Sequence, residues 1–157
     1  WTRRRWLAAA GAAAAASAGA VLADAFVVGP HRVTVSRHRF GADRDAARRL
    51  RIVQLSDLHL RAVGAHETRV AEAVHALAPD LVVLTGDAID RSDALGLLDR
   101  FLARLERRAP TFAVLGNWEH WARVDLDALA RTYARHEVRL LRDASVTLRV
   151  RGTRLLV

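Results

Sequence analysis

The chain has 157 residues, of which 52% are hydrophobic and 27% charged, a balance that suffices for one domain with a core and excludes a disordered chain. Cysteine is absent, which excludes a disulfide framework, a thiolate metal site and a cysteine nucleophile. The formal net charge is +8, but every basic residue is an arginine and the charges are scattered without interleaved aromatic residues, so we expect no nucleic-acid partner.

A basic start followed by an alanine-rich stretch characterises residues 1–25. After the run Thr2–Leu7, no charged residue occurs up to Ala23. This segment resembles a twin-arginine export signal, in which paired arginines precede a large apolar residue, a leucine and a moderately hydrophobic stretch. The resemblance implies the twin-arginine export machinery as a partner and a location across, or anchored to, the cytoplasmic membrane and facing outside. An ordinary alanine-rich helix is the alternative.

The fate of this signal stays open between cleavage and retention. Ala23-Asp24-Ala25 is a small-x-small cleavage site, whereas residues 7–23 would be just long enough to span a bilayer if the segment were retained as an anchor. The chain begins at Trp1 and ends within the apolar Leu155–Val157. We therefore expect it to be a piece of a longer protein, with membrane association.

The next segment, residues 26–50, is predicted to lead into the main domain at 51–157. Apolar and polar residues alternate over Arg32–Ser36, which predicts an edge strand. Gly41–Arg49 is polar and predicts a connection.

Three apolar runs rich in β-branched residues predict buried parallel strands with helical crossovers, an α/β fold. The predicted strands are Arg51–Ser56, Leu81–Thr85 and Thr111–Leu115. Apolar residues at helical spacing predict two crossover helices, one over Glu67–Ala78 and one capped by Ser92 that carries Leu95, Leu98, Leu102 and Leu105.

The last part of the chain continues the alternation of helices and strands. A helix is predicted over Asp125–Arg135, and strands over Val138–Leu141 and Val146–Val150. Turns are predicted at Asp143-Ala144 and Arg151-Gly152. No linker divides this domain.

Polar motifs follow each of the first three strands at an interval of 30 residues: Asp57-Leu58-His59, Gly86-Asp87 and Gly116-Asn117-Trp118-Glu119. A βαβ unit occupies about 30 residues, so these motifs reach one edge of the sheet together. Alternation along an extended segment would place Asp57 and His59 on the same side. Oxygen and imidazole ligands that converge in this way predict a metal site for manganese, iron or zinc. Asp90, just beyond, is expected to be a loop or capping residue.

These three blocks, in this order, resemble the calcineurin-like metallophosphoesterase superfamily, and most closely its bacterial membrane-associated phosphodiesterase branch. The resemblance covers residues 51–121 and implies the N-terminal half of a four-layer α/β/β/α sandwich. It implies two divalent metal ions, with Asp57 and His59 on one, Asp87 bridging both and Asn117 on the second. Such a pair lies about 3.5 to 4 Å apart and activates a shared water.

One position departs from the family pattern, because Trp118 stands where the family has a catalytic histidine. An indole donates a hydrogen bond but cannot transfer a proton. His120 is the candidate that either substitutes for this histidine or contacts the phosphate, and the alternative is a surface histidine. Glu119 is expected to orient Asn117 or the loop, and Trp118 and Trp121 to line an apolar groove or to pack under the loop.

The resemblance also implies ligands that do not occur before Val157, namely an isolated histidine and a Gly-His-x-His block. We therefore expect these 157 residues alone to bind metal weakly, to expose a sheet face or edge, and to be inactive. The whole protein is expected to hydrolyse a phosphomonoester or phosphodiester, including lipid-linked or nucleotide-sugar-lipid phosphates, by attack of metal-activated hydroxide. The alternative is a non-catalytic metal-binding or interaction domain with a decayed site.

Overall fold

The computed structural model describes residues 3–23, 32–41, 49–105 and 109–157. The chain divides into two compact units, Trp1–Thr34 and Val35–Val157. Asp24 and Ala25 of the predicted cleavage site, and most of the predicted connection at Gly41–Arg49, lie outside the described residues.

The first unit contains helix α1 (Arg3–Ala23), whose described side chains are exposed. Alanine has the highest helix propensity of all residues, which accounts for a long helix that buries little surface. Within the described ranges, no helix meets both the length and the hydropathy needed to cross a membrane.

The second unit is built on a parallel sheet of four strands in the order β1-β2-β3-β4. The strands are β1 (Ile52–Leu55), β2 (Leu81–Thr85), β3 (Thr111–Val114) and β4 (Val138–Leu140). Val53 lies opposite Val82, and Val82 lies opposite Thr111. Equivalent positions in successive strands therefore align, so the three motifs leave the sheet at the same edge.

Helices connect these strands, and a hairpin follows them. The helices are α2 (Ala65–Leu77), α3 (Leu95–Leu102), α4 (Asn117–Trp121) and α5 (Leu126–Arg135), and a short 3₁₀ helix at Ser92–Ala94 precedes α3. An antiparallel pair, β5 (Thr147–Val150) and β6 (Thr153–Leu156), closes the described chain. The predicted α/β fold, with parallel strands and helical crossovers as in the N-terminal half of the metallophosphoesterase sandwich, is confirmed.

The main core lies between one face of the sheet and the helices. Leu84 and Ala113 of the strands pack with the helical residues Phe101, Leu129 and Tyr133, all of which are buried. Each fully buried Leu or Phe side chain contributes about 1.5–3 kcal/mol of transfer free energy. This apolar contact holds the strand ends, and hence the motifs, in a defined position.

The opposite face of the sheet is only partly covered. Leu81, Phe112 and Leu141 are buried there against side chains of the β5–β6 hairpin. Ile52 is 53% exposed and Val114 is 41% exposed. The described sheet thus has the partly uncovered face expected from the sequence, and among its four strands only β2 is buried along most of its length.

The prediction of an edge strand at Arg32–Ser36 is wrong. Residues 32–40 have no regular secondary structure, and all of them except Val33 are exposed. Alternation of apolar and polar residues suits a strand, but a strand also needs a neighbour for its backbone groups.

The prediction that Ser92 caps a helix is also wrong. Ser92 begins the 3₁₀ helix, and the residue before α3 is Ala94, which makes no side-chain capping bond. Helix α3 ends at Leu102, so Leu105 lies outside it, although its side chain still packs against the core. The apolar spacing identified the buried side chains correctly but not the ends of the helix.

Capping hydrogen bonds explain where helices α2 and α5 begin. Helix α2 begins two residues before the predicted Glu67, because the Glu67 side chain accepts a hydrogen bond from the backbone N–H of Gly64 at 2.8 Å. Helix α5 begins at Leu126, one residue after the predicted start at Asp125, because Asp125 is the capping residue and its Oδ1 accepts from the N–H groups of Asp127 and Ala128. These contacts satisfy backbone donors that have no partner within the helix.

Candidate metal centre

Three of the predicted ligands converge in the structure. Asp57, His59 and Asp87 place one ligand atom each within 4.8 Å of the others. Across the described ranges, this is the one group of three or more acidic, histidine or cysteine side chains with such spacing. The loops after β1 and β2 therefore form a compact donor set of two carboxylates and one imidazole.

Backbone hydrogen bonds join these two loops beyond the ends of their strands. The N–H of Asp57 donates to the carbonyl oxygen of Gly86 at 3.2 Å, and the N–H of His59 donates to that of Asp87 at 2.9 Å. The loops are thus held to each other by main-chain contacts, which fixes the separation of the donor side chains.

The backbone at the three donors differs from the prediction. Strand β1 ends at Leu55, and Asp57, His59 and Asp87 have φ values of 55°, 41° and 53°. The prediction that Asp57 and His59 share a side through alternation on an extended segment is therefore wrong, although the two side chains do meet. Left-handed conformations are enriched for Asp and His and cluster at functional sites.

Two glycines allow the loops after β2 and β3 to approach closely. Gly86 has φ +88°, and a Cβ there would lie 2.5 Å from both Cα and N of Gly116. A Cβ on Gly116 would lie 2.2 Å from Oδ1 of Asp87. Only residues without a side chain permit this backbone contact.

The carboxylate of Glu119 ties the loops after β2 and β3 together. Its side chain is 1% exposed and accepts backbone N–H bonds from four residues: Gly116 at 2.8 Å, Asp87 at 3.1 Å, Ala88 at 2.8 Å and Ile89 at 3.4 Å. A buried carboxylate is tolerated when donors surround it. Glu119 thus orients the loop, as the sequence indicated.

Trp118 lies directly beside the donor set. Its backbone N–H donates to Oδ1 of Asp87 at 2.9 Å, and its indole meets the His59 ring edge-on, with the ring centroids 5.7 Å apart. Trp121 packs on Trp118 at a centroid distance of 5.4 Å. Trp118 is 38% exposed and Trp121 is 68% exposed, so the pair lines the rim of the site and does not pack under the loop.

Asn117 and His120 are both exposed on α4. Asn117 lies between Gly116 and Trp118, two residues in contact with Asp87. Its role as ligand of a second metal stays a prediction. His120 lies outside the three-residue cluster, and its catalytic role also stays a prediction.

The chemistry of the donor set fits a divalent cation. Two carboxylates and an imidazole lie close together, and neither Asp57 nor Asp87 takes part in an ion pair with any other residue in the described part of the chain. Mixed oxygen and imidazole donors suit manganese, iron or zinc. A bound cation would offset the repulsion between the two carboxylates.

Asp90 belongs to this site, although the sequence indicated only a loop or capping residue. Its side chain is 8% exposed, and its Oδ2 lies 3.9 Å from Nδ1 of His59. The signal available in the sequence was a third carboxylate three residues beyond Asp87, on a loop that leaves the same sheet edge.

The fold and the donor set define a class of protein. The profile of the calcineurin-like phosphoesterase family matches residues 50–150, and the chain belongs to that family. The family predicted from the three motifs is thereby confirmed.

Two curated relatives are similar over a shorter region. The chain is 39% identical over 82 residues to the UDP-2,3-diacylglucosamine pyrophosphatase LpxG of Chlamydia muridarum (strain MoPn / Nigg). It is 38% identical over 86 residues to the enzyme of the same name from Chlamydia trachomatis serovar D (strain ATCC VR-885 / DSM 19411 / UW-3/Cx). Each match spans 50% of this chain and 25% of the relative's length.

Proposed function

We propose that the whole protein is a metal-dependent hydrolase of phosphate esters. The observation that carries this proposal is the convergence of Asp57, His59 and Asp87 at one sheet edge, in a chain of the calcineurin-like phosphoesterase family. The chemistry that divalent metals supply in such a site is activation of water and neutralisation of charge on the phosphoryl group.

The residues have distinct proposed roles. Asp57 and His59 would hold one metal ion, Asp87 would be shared by two ions, and Asn117 would contribute its amide oxygen to the second. The position of Asn117 between two residues that touch Asp87 supports this assignment. Glu119 holds the loop of Asp87 to the loop of Asn117, because it accepts hydrogen bonds from the N–H groups of Asp87 and Gly116.

The proposed substrate is a pyrophosphate or phosphodiester attached to a lipid. The two relatives are named as pyrophosphatases of UDP-2,3-diacylglucosamine, and this name supports a lipid-linked substrate. The exposed indoles of Trp118 and Trp121 beside the donor set also support a substrate with an apolar part.

The direct test is hydrolysis by the full-length product of the gene that encodes these residues. UDP-2,3-diacylglucosamine, bis-p-nitrophenyl phosphate and p-nitrophenyl phosphate would each be offered with manganese and with a chelator. We expect chelator-sensitive turnover of the lipid-linked pyrophosphate, lowered at least about 100-fold by Asp87→Asn. Turnover that survives both the chelator and the substitution would refute the proposal.

Proton donation to the leaving group is proposed for His120, since the indole of Trp118 cannot transfer a proton. Loss of a general acid costs about 10²- to 10⁴-fold in kcat. We expect His120→Ala to show such a loss on a substrate with a poor leaving group and little loss with p-nitrophenolate. If His120→Ala kept the activity of the unsubstituted protein on both substrates, His120 would have no part in the mechanism.

A second candidate function is a non-catalytic metal-binding domain. The observation that favours it is the indole of Trp118, which lies beside His59 and stands at the sequence position where the family pattern has a catalytic histidine. Trp118→His separates the two functions. Hydrolysis that appears only in this variant would identify the natural protein as non-catalytic.

Export by the twin-arginine machinery is proposed from residues 1–25. The test is export of a folded reporter fused behind this segment. We expect the double substitution Arg3→Lys with Arg4→Lys to abolish export, and the matched control Arg5→Lys to retain it. Export that is unaffected by the double substitution would exclude the twin-arginine route.

A further inference from the structure

Asp90 is a buried carboxylate whose environment the proposed function does not explain. It lies three residues after Asp87 in the loop that follows β2, and its side chain is 8% exposed. Burial of a carboxylate is costly unless its oxygens find hydrogen-bond donors. The contacts of both oxygens therefore need to be accounted for.

The two oxygens of Asp90 have different surroundings. Oδ2 accepts a hydrogen bond from Nη2 of Arg61 at 3.2 Å and lies 3.9 Å from Nδ1 of His59. Oδ1 is buried, and within the described part of the chain it has no hydrogen-bond partner. A buried acceptor without a donor costs about 1–3 kcal/mol, so its presence calls for a reason.

Arg61 does not supply that reason. Its side chain is 79% exposed, and ion pairs with an exposed partner contribute little to stability. His59 is the other group that faces the carboxylate, and its side chain is only 31% exposed.

We propose that Asp90 is a positioning residue for His59. In this arrangement the carboxylate accepts the Nδ1–H of the imidazole and leaves Nε2 to face Asp57 and Asp87, where a divalent cation binds. This inference rests on the metal centre of the proposed function. It assigns Asp90 an orienting role that its place in the sequence did not indicate.

The observed distance leaves room for this contact to form. The separation of 3.9 Å between His59 Nδ1 and Asp90 Oδ2 is about 1 Å longer than a hydrogen bond, a gap that a small rotation of either side chain closes. Histidine ligands of metals generally donate their second ring N–H to such an acceptor, which fixes the tautomer and the ring orientation.

The first part of the test needs no metal. Nitrogen NMR of the neutral His59 ring in the 157-residue chain reports which ring nitrogen carries the proton. We expect the Nδ1–H tautomer to dominate and Asp90→Ala to shift the population towards Nε2–H. Asp90→Asn keeps an acceptor oxygen and should retain the original tautomer. An unchanged tautomer in Asp90→Ala would overturn the proposal.

The second part measures Mn²⁺ affinity by calorimetry on the same variants. We expect Asp90→Ala to weaken binding about 10-fold or more, and Asp90→Asn to weaken it less. Asp93→Asn, which removes an exposed carboxylate from the same segment, and Arg61→Gln are the controls and should change affinity less than about 2-fold. An equal loss in Arg61→Gln would show that Asp90 acts through Arg61 and would refute the role assigned here.

The two measurements separate the inference from the proposed function. Absence of Mn²⁺ binding in the unsubstituted chain would contradict the metal centre, while the tautomer experiment would still decide whether Asp90 orients His59. If Asp90→Ala does not fold, a larger loss of Mn²⁺ affinity in Asp90→Asn than in Arg61→Gln supports the role of Asp90, and equal losses in the two variants overturn it.

Discussion

The buried carboxylate of Glu119 holds together the two loops that carry Asp87 and Asn117. We expect Glu119→Ala to lower the free energy of unfolding by about 2–4 kcal/mol, because four backbone N–H groups lose their acceptor. Urea denaturation measures this change. Glu72→Ala, at an exposed position of α2, is the matched control and should stay within about 0.5 kcal/mol.

The charge of Glu119 also reaches the core beneath it. Burial, together with the nearby Glu119 carboxylate, raises the pKa of the Tyr133 hydroxyl far above its ordinary value. The Tyr133 hydroxyl therefore stays neutral at physiological pH. If Glu119→Ala lowered the free energy of unfolding no more than Glu72→Ala does, the role given to Glu119 would be contradicted.

The close approach of Gly86 and Gly116 gives a second prediction for a single residue. Gly86→Ala combines a left-handed φ of +88° with a Cβ placed 2.5 Å from the Gly116 backbone. We expect a loss of at least about 2 kcal/mol in the free energy of unfolding, together with weaker Mn²⁺ binding.

Gly96 provides the control for this change. It lies in α3, and a Cβ there would meet no atom within 4 Å. Gly96→Ala should stabilise the protein by up to about 1 kcal/mol, because alanine favours the helix. If Gly86→Ala were as stable as Gly96→Ala, the close approach of Gly86 to Gly116 would not contribute to stability.

At the scale of elements, the cap of α5 makes stability depend on pH. Hydrogen bonds from the N–H groups of Ala128 and Asp127 lower the pKa of the Asp125 carboxyl. A carboxyl whose pKa is lower in the folded than in the unfolded state stabilises the fold above the ordinary pKa of about 3.9. This stabilisation is lost as the pH falls through the folded-state pKa.

The expected result is a smaller loss of thermal stability on acidification in Asp125→Asn than in the unsubstituted chain. Asparagine keeps the capping oxygen but does not titrate. Melting temperatures at about pH 7 and about pH 3 measure the difference. Asp143→Asn, at an exposed turn position, should leave the pH dependence unchanged; a matching effect there would exclude the cap as its source.

Prediction from sequence succeeded for elements whose burial is encoded locally. Strand β2 has the predicted bounds Leu81–Thr85, because a β-branched apolar run is followed directly by Gly86. It failed where a partner decides the outcome. Arg32–Ser36 alternates like a strand but pairs with none among the described residues, and Ser92 has the chemistry of a cap without its geometry.

In the candidate metal centre, too, some features could be predicted from the sequence and others could not. The order and spacing of the motifs predicted that Asp57, His59 and Asp87 meet, since parallel strands deliver their ends to one edge. Their left-handed backbone was not predictable, because it depends on hydrogen bonds between loops that are distant in sequence. The contacts of Glu119 and Asp90 depend on the same loops.

At the scale of the molecule, the described sheet has one face covered by helices and a second face covered in part by the β5–β6 hairpin. The chain covers a quarter of each relative's length. The proposed ligands Asp57, His59, Asp87 and Asn117 would alone give two metal ions few protein ligands. We therefore propose that these 157 residues bind metal weakly and that hydrolysis requires the whole protein.

The most direct test of the metal centre is an anomalous difference map from crystals of the 157-residue chain soaked in excess Mn²⁺. The account predicts a peak in contact with the carboxylates of Asp57 and Asp87 and with a ring nitrogen of His59, and its disappearance in Asp87→Asn. A map with no peak at these side chains, or with peaks only elsewhere on the protein, would contradict it.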